Sequence, residues 1–227
     1  MILIINKNSF FKKNKSKIKV NNKNLYFISD KKKINFKYIK KINPKIIFVP
    51  HWSHLISRKI TESFLCIGFH SSPLPYGRGG SPIQNMIIRN FNKTKICAIL
   101  LEKKLDAGKI VLQRNLSLKG NANIIYDRIY LKILEMINLI LKIKNINGKK
   151  QIGKIVNFKR RNSLMSMIPK KKSINYIYNH IRMLSLDEKK FPKAFINYGN
   201  LKIELFESNL IKKKGEIICK AKIFLKK

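Results

Sequence analysis

A chain of 227 residues can bury one good-sized core and at most a small second unit, and 44% apolar residues is ordinary for a globular protein. The formal charge of +39 invites a nucleic-acid reading. Yet only eight of the 50 basic residues are Arg, and the Lys residues are spread among many Ile and Asn, as an AT-rich coding sequence would leave them. No apolar run approaches the ~20 residues of a membrane span. Cys66, Cys97 and Cys219, odd in number and in apolar surroundings, suit reduced thiols in the cytoplasm better than a disulfide framework.

Met1 to Lys13 carries a short apolar run and no cleavage-like stretch, so it predicts a first strand rather than a signal peptide. Strands are predicted at Ile2 to Ile5, Leu25 to Ile28, Ile46 to Val49, Leu65 to Phe69, Lys95 to Leu101 and Ile110 to Leu116. Several are near-continuous apolar runs, the mark of strands covered on both faces in a mainly parallel sheet. Ser81 and Pro82 predict an N-cap and first helical residue of a helix through Arg89. A longer helix is predicted from Ile124 to Ile143, with Arg128, Lys132 and Glu135 in its polar stripe. Strands alternating with helices predict an α/β fold, Rossmann-like, with helices on both faces of the sheet.

Composition shifts at Asn147-Gly148-Lys149-Lys150. Residues 1–155 therefore read as the main domain, and 156–227 as a small C-terminal α+β region. That region carries a helix at Ser173 to Leu184, a hairpin of Ala194 to Tyr198 with Leu201 to Phe206 turning at Gly199-Asn200, and a last strand at Ile217 to Ile223.

The stretch from Gly68 to Gly108 carries chemistry. His70 ends an apolar strand, where open parallel sheets gather functional groups. Tyr76-Gly77-Arg78-Gly79-Gly80-Ser81-Pro82 is a Gly-rich loop opening onto a helix N-terminus, whose amides can hold an anion or a carboxylate. It lacks the spacing of a P-loop or a dinucleotide fingerprint. Leu105-Asp106-Ala107-Gly108 predicts a tight turn with its carboxylate at the apex. Taken singly, His70 could be a structural residue and Asp106 a turn former. In so basic a chain, however, the four Asp and four His are scarce.

The ordered set His70-x-Ser72-x-Leu74-Pro75-x-x-Arg78-Gly79-x-x-Pro82, followed by Leu105-Asp106-x-Gly108, resembles the folate-dependent formyltransferases. That family includes methionyl-tRNA, glycinamide ribonucleotide and nucleotide-sugar N-formyltransferases. The strong match covers Phe48 to Val111. Weaker similarity runs through Phe158-Lys159-Arg160-Arg161 and Ile181-Arg182-Met183-Leu184 to Phe191-Pro192-Lys193-Ala194-Phe195, and looks most like the sugar branch. The resemblance implies formyl transfer from 10-formyltetrahydrofolate, with no metal, to the amine of a nucleotide-linked amino sugar. It implies that His70 stabilises the tetrahedral oxyanion and moves a proton, and that Asp106 orients and steadies the imidazole. It further implies carrier-binding residues at Pro50, Trp52, Ser53, His54, Glu102 and Leu105, and substrate-binding residues at Ser72, Arg78, Gly79 and Arg182. Trp52 reads equally as a core plug, and Arg160, Arg161 and Arg182 either recognise a diphosphate or tie the C-terminal region down. Family members usually carry an Asn two residues before the His; here that position is Gly68.

Three functions compete. The sugar reading comes first, with a homodimer left open. Methionyl-tRNA formylation is the alternative: the charge favours it, but only about 72 residues follow position 155, fewer than its larger C-terminal barrel needs. A non-catalytic, basic nucleic-acid-binding protein is the third, disfavoured because no aromatic/basic RNA-binding module is visible. His51-x-x-His54 lacks a third metal ligand at sensible spacing.

Overall fold

The computed structural model describes residues 1–7, 9–20, 24–186 and 192–226; Phe191, in the downstream similarity, lies outside them. The chain groups into two compact units. One holds Met1–Gly79, Lys95–Leu116 and Ile129–Asn157, the other Gly80–Thr94, Ser117–Arg128 and Phe158–Lys227. The units are not consecutive stretches of chain. Residues 80–94 group with the C-terminal part because helix α4 (Pro82–Ile88) buries Ile83, Met86 and Ile87 and packs against α6 (Ile174–Leu184).

The first unit is built on β1 (Ile2–Ile5), β2 (Leu25–Ile28), β3 (Ile46–Val49), β4 (Cys66–His70), β6 (Lys93–Leu100) and β7 (Ile110–Ser117), ordered β2-β1-β3-β4-β6-β7. Pairing is parallel between β1 and β2, β1 and β3, and β3 and β4, whereas β4 and β6 run antiparallel. The sheet is therefore mainly parallel, as the apolar runs predict. No residue of β1 or β3 is exposed. Leu3, Ile5, Ile39, Ile47 and Ile60 form one face of its core, each such side chain stabilising the fold by about 1.5–3 kcal/mol. Ile39 and Ile60 come from two short helices, α2 (Phe36–Ile42) and α3 (Arg58–Ser63). A further long helix, α5 (Ala122–Ile140), buries Ile129, Ile133, Met136, Ile137 and Ile140 along one stripe. No helix among the described residues is long and apolar enough to cross a membrane.

The expected Gly-rich loop is largely a strand, β5 (Tyr76–Gly79), in a two-stranded sheet with β8 (Val156–Phe158). Ser81 does stand before α4, but with φ 50° and without a capping bond from its side chain. Its hydroxyl instead accepts from the Arg161 N–H.

In the second unit α6 begins as predicted, the Ser173 hydroxyl accepting from Tyr176 N–H. It packs against a three-stranded antiparallel sheet ordered β11-β10-β9, of β9 (Ala194–Tyr198), β10 (Leu201–Ile211) and β11 (Glu216–Leu225). Tyr198 pairs with Leu201, so Gly199-Asn200 is the hairpin turn that the sequence predicts.

Candidate active site

The antiparallel pairing of β4 with β6 sets His70 opposite Cys97 at the end of β4. Just beyond β6 the chain makes the turn that carries Asp106. The two segments border a cavity of about 100 Å³ within the first unit, lined by Trp52, His54, His70, Glu102, Leu105 and Asp106 among others. The imidazole and carboxylate, 36 residues apart in the chain, thus face one space, with His70 Nδ1 3.4 Å from Asp106 Oδ2.

His70 is 8% exposed, and its other nitrogen, Nε2, lies 2.7 Å from the Gly77 carbonyl oxygen. A carbonyl can only accept, so Nε2 carries the proton and donates it. In the neutral ring Nδ1 then holds a lone pair and faces Asp106; a proton on Nδ1 completes a bond to the carboxylate. The backbone of Gly77, rather than Asp106, fixes the tautomer. Ser72 is fully buried and its hydroxyl donates to the same carbonyl at 3.1 Å. It braces the oxygen that holds His70 and does not line the cavity.

Asp106 sits at φ 52°, in the left-handed region. Its Oδ2 accepts from Gly79 N–H at 2.9 Å. The carboxylate that the Gly-rich stretch holds is therefore the protein's own. The next amide, Gly80 N–H, donates to Phe158 O. Glycine is required at 108, because a Cβ would fall 1.7 Å from Leu100 O. At Gly68 a Cβ would fall 2.5 Å from Leu101 Cδ2, so the Leu101 side chain occupies the space into which an Asn would project.

The remaining predicted residues divide. Trp52, His54, Glu102 and Leu105 line the cavity, and Trp52 also packs against the core. Pro50 and Ser53 are not among the lining residues; the Pro50 carbonyl accepts from Asn6 Nδ2. His51 packs edge-on against Tyr130 at 5.7 Å while His54 faces the cavity, so the two imidazoles part. Arg78 is 8% exposed, and its Nε and Nη2 donate to Gln151 Oε1 at 3.1 and 2.6 Å. That side of its fork is spent inside the protein. Arg182, 4% exposed, donates from Nη1 to Leu118 O and Gly120 O and from Nε to Asn179 Oδ1. It ties a turn within its own unit, the role its burial fits better than grasping a substrate. Arg161 likewise spends an amino group on Met165 O, and burial pushes its guanidinium below the usual range. Two contributors had no signal in the sequence: the Gly77 carbonyl, which is backbone, and Gln151, which follows directly on the composition shift at Asn147 to Lys150.

The chain matches the family model described as "Formyl transferase" over residues 7–129, and that described as "Methionyl-tRNA formyltransferase, C-terminal domain" over residues 163–224. It belongs to the formyl transferase family. A solved structure named methionyl-tRNA formyltransferase from Clostridium thermocellum is 38% identical, covers 99% of both chains and superimposes with a TM-score of 0.90. The curated methionyl-tRNA formyltransferase of Caldicellulosiruptor saccharolyticus is 28% identical over 78% of this chain, which spans only 58% of that relative's length. A sugar N-formyltransferase from a Shewanella species shares the fold at 16% identity and TM-score 0.66, over 93% of this chain and 98% of its own.

Proposed function

We propose that the protein transfers a formyl group from 10-formyltetrahydrofolate to the amine of methionine esterified to tRNA. The observation that carries formyl transfer is the pairing of His70 Nδ1 with Asp106 on one cavity wall. What favours the tRNA-borne amine over the nucleotide-linked sugar is the 38% identical relative named for it, matched over 99% of its own length. The resemblance of the downstream pattern, from Phe158 to Phe195, to the sugar branch keeps the sugar amine as the second reading.

In the proposed reaction the amine nitrogen attacks the formyl carbon, and the carbonyl electron pair moves onto oxygen. The amine's proton passes to Nδ1 of His70, the position that the Gly77 carbonyl leaves unprotonated. The Asp106 carboxylate, held by Gly79 N–H, steadies the resulting imidazolium. As the bond from carbon to the folate nitrogen breaks, that proton returns to the nitrogen and tetrahydrofolate departs. Leu101 fills the space beside Gly68, so no side chain at 68 serves the oxyanion.

The test supplies purified protein with 10-formyltetrahydrofolate and, separately, charged initiator tRNA and a panel of nucleotide-linked amino sugars. Tetrahydrofolate should be released with the charged tRNA and not with the sugars. His70→Ala and Asp106→Asn should each lower that rate by about 10²–10⁴-fold. Turnover only with a sugar would overturn the choice of amine, and wild-type rates in both variants would overturn the site.

A further inference from the structure

Gln151 uses every hydrogen-bonding position of its amide. Nε2 donates to Asp106 O at 2.8 Å and to Gly108 O at 2.9 Å. Oε1 accepts both Arg78 bonds, at 3.1 and 2.6 Å. The segment it grips is one the chain would not hold by local preference: Asp106 at φ 52°, two residues before a glycine with no room for a Cβ. Such conformations persist only where surrounding groups over-determine them. Here, besides the turn's own bond from Ala107 N–H to Lys104 O, two groups hold it. Gly79 N–H holds the carboxylate, and Gln151 holds the backbone on both sides of Ala107.

We propose that Gln151 is a positioning residue for formyl transfer: anchored by Arg78, it pins the Asp106 turn so that the carboxylate stays against His70 Nδ1. The inference rests on the His70/Asp106 reading above. It also changes the role of Arg78, which serves the site by clamping Gln151 rather than by meeting substrate with Nε and Nη2. Each end of the clamp needs its own chemistry. Arg78 supplies two converging donors to one oxygen, and the primary amide turns that anchorage into two donors aimed at carbonyls.

Gln151→Glu separates positioning from bulk support. The side chain keeps its shape and its Arg78 partner, but an acceptor oxygen now faces the Asp106 and Gly108 carbonyls and repels them. Formyl transfer from 10-formyltetrahydrofolate would be measured for wild type, Q151E, D106N and the double variant, alongside the ¹⁵N imidazole signals of His70 and the melting temperature. Misplacement of a catalytic group by about 1 Å costs on the order of 10²-fold. Q151E should therefore lower kcat by roughly 10–100-fold, with a much smaller change in KM for the carrier. It should move the His70 signals as D106N moves them. In the D106N background it should cost less than about 3-fold more, because residues acting as one unit are not additive. Gln151→Ala, which removes all four bonds without adding charge, goes through the same cycle should Q151E not fold.

The outcomes are separable. If D106N keeps the wild-type rate, the catalytic reading itself falls. If D106N loses activity while the Gln151 variants keep theirs and leave the His70 signals in place, only the positioning role falls. A Gln151 loss of equal size in both backgrounds also overturns it, because the residue would then act independently of Asp106. If neither Gln151 variant folds, Gln151 is a support of the fold and the positioning role is likewise overturned.

Discussion

At His70 a backbone oxygen does the work that the sequence suggests for a carboxylate. The Gly77 carbonyl accepts the hydrogen bond from Nε2–H, and Asp106 is left to meet whatever charge arrives on Nδ1. Glycine matters around this pair for two different reasons. At 108 the obstacle to a side chain is a carbonyl oxygen, which cannot step aside; at 68 it is the end of a leucine, which can. Gly108→Ala should thus lower the melting temperature and the formyl-transfer rate together. Gly68→Ala should cost about 1–3 kcal/mol of stability, the usual range for overpacking, and L101A in the same chain should recover much of it. Thermal melts of the three variants check the order; a G108A protein as stable as G68A would contradict it.

At the scale of elements, what could be read in the sequence was what repeats or runs. The strands β1 and β3 are buried on both faces, and their apolar runs announce it. Helices α2 and α3, at seven and six residues, are too short for a periodic stripe to show, and β5 hides in glycines that strands usually avoid. The candidate site was legible where it consists of motif side chains, His70 and Asp106. It was not legible in Gln151, whose partners are two carbonyls 45 and 43 residues away. Helix α6 was legible, but not the cost of what it buries. His180 is 1% exposed, with Nε2 against Ser166 O, and burial lowers its imidazole to about 4. In the unfolded chain the ring would take up its proton near 6.5. Stability is therefore full above about pH 6.5 and is lost as the pH falls toward 4, by at most on the order of 3 kcal/mol, after which the loss levels off. Denaturant midpoints measured between pH 7 and 4.5 should fall further for the wild type than for His180→Gln. Parallel curves would remove His180 as the cause.

Across the whole molecule, the charge of +39 is the property whose meaning depends on the amine substrate. Compositional drift alone predicts no salt dependence beyond that of any enzyme. A polyanionic substrate predicts a steep one, because each phosphate neutralised by Lys or Arg releases condensed counterions. If charged tRNA is the acceptor, its KM should rise about 10-fold or more between roughly 50 and 200 mM salt, while that of the folate carrier changes little. Steady-state rates across a salt series decide it; a flat response for the tRNA would return the charge to composition.

The Gly77 carbonyl, braced by the Ser72 hydroxyl, has one more consequence. With its far nitrogen tethered to the main chain, the imidazole has a single working side. In the proposed reaction, a proton taken from the incoming amine has no exit through the back of the ring into the sheet and returns only to a neighbour in the cavity. On that proposal the ring behaves as a turnstile rather than a wire, tying acceptance of each amine to departure of each carrier.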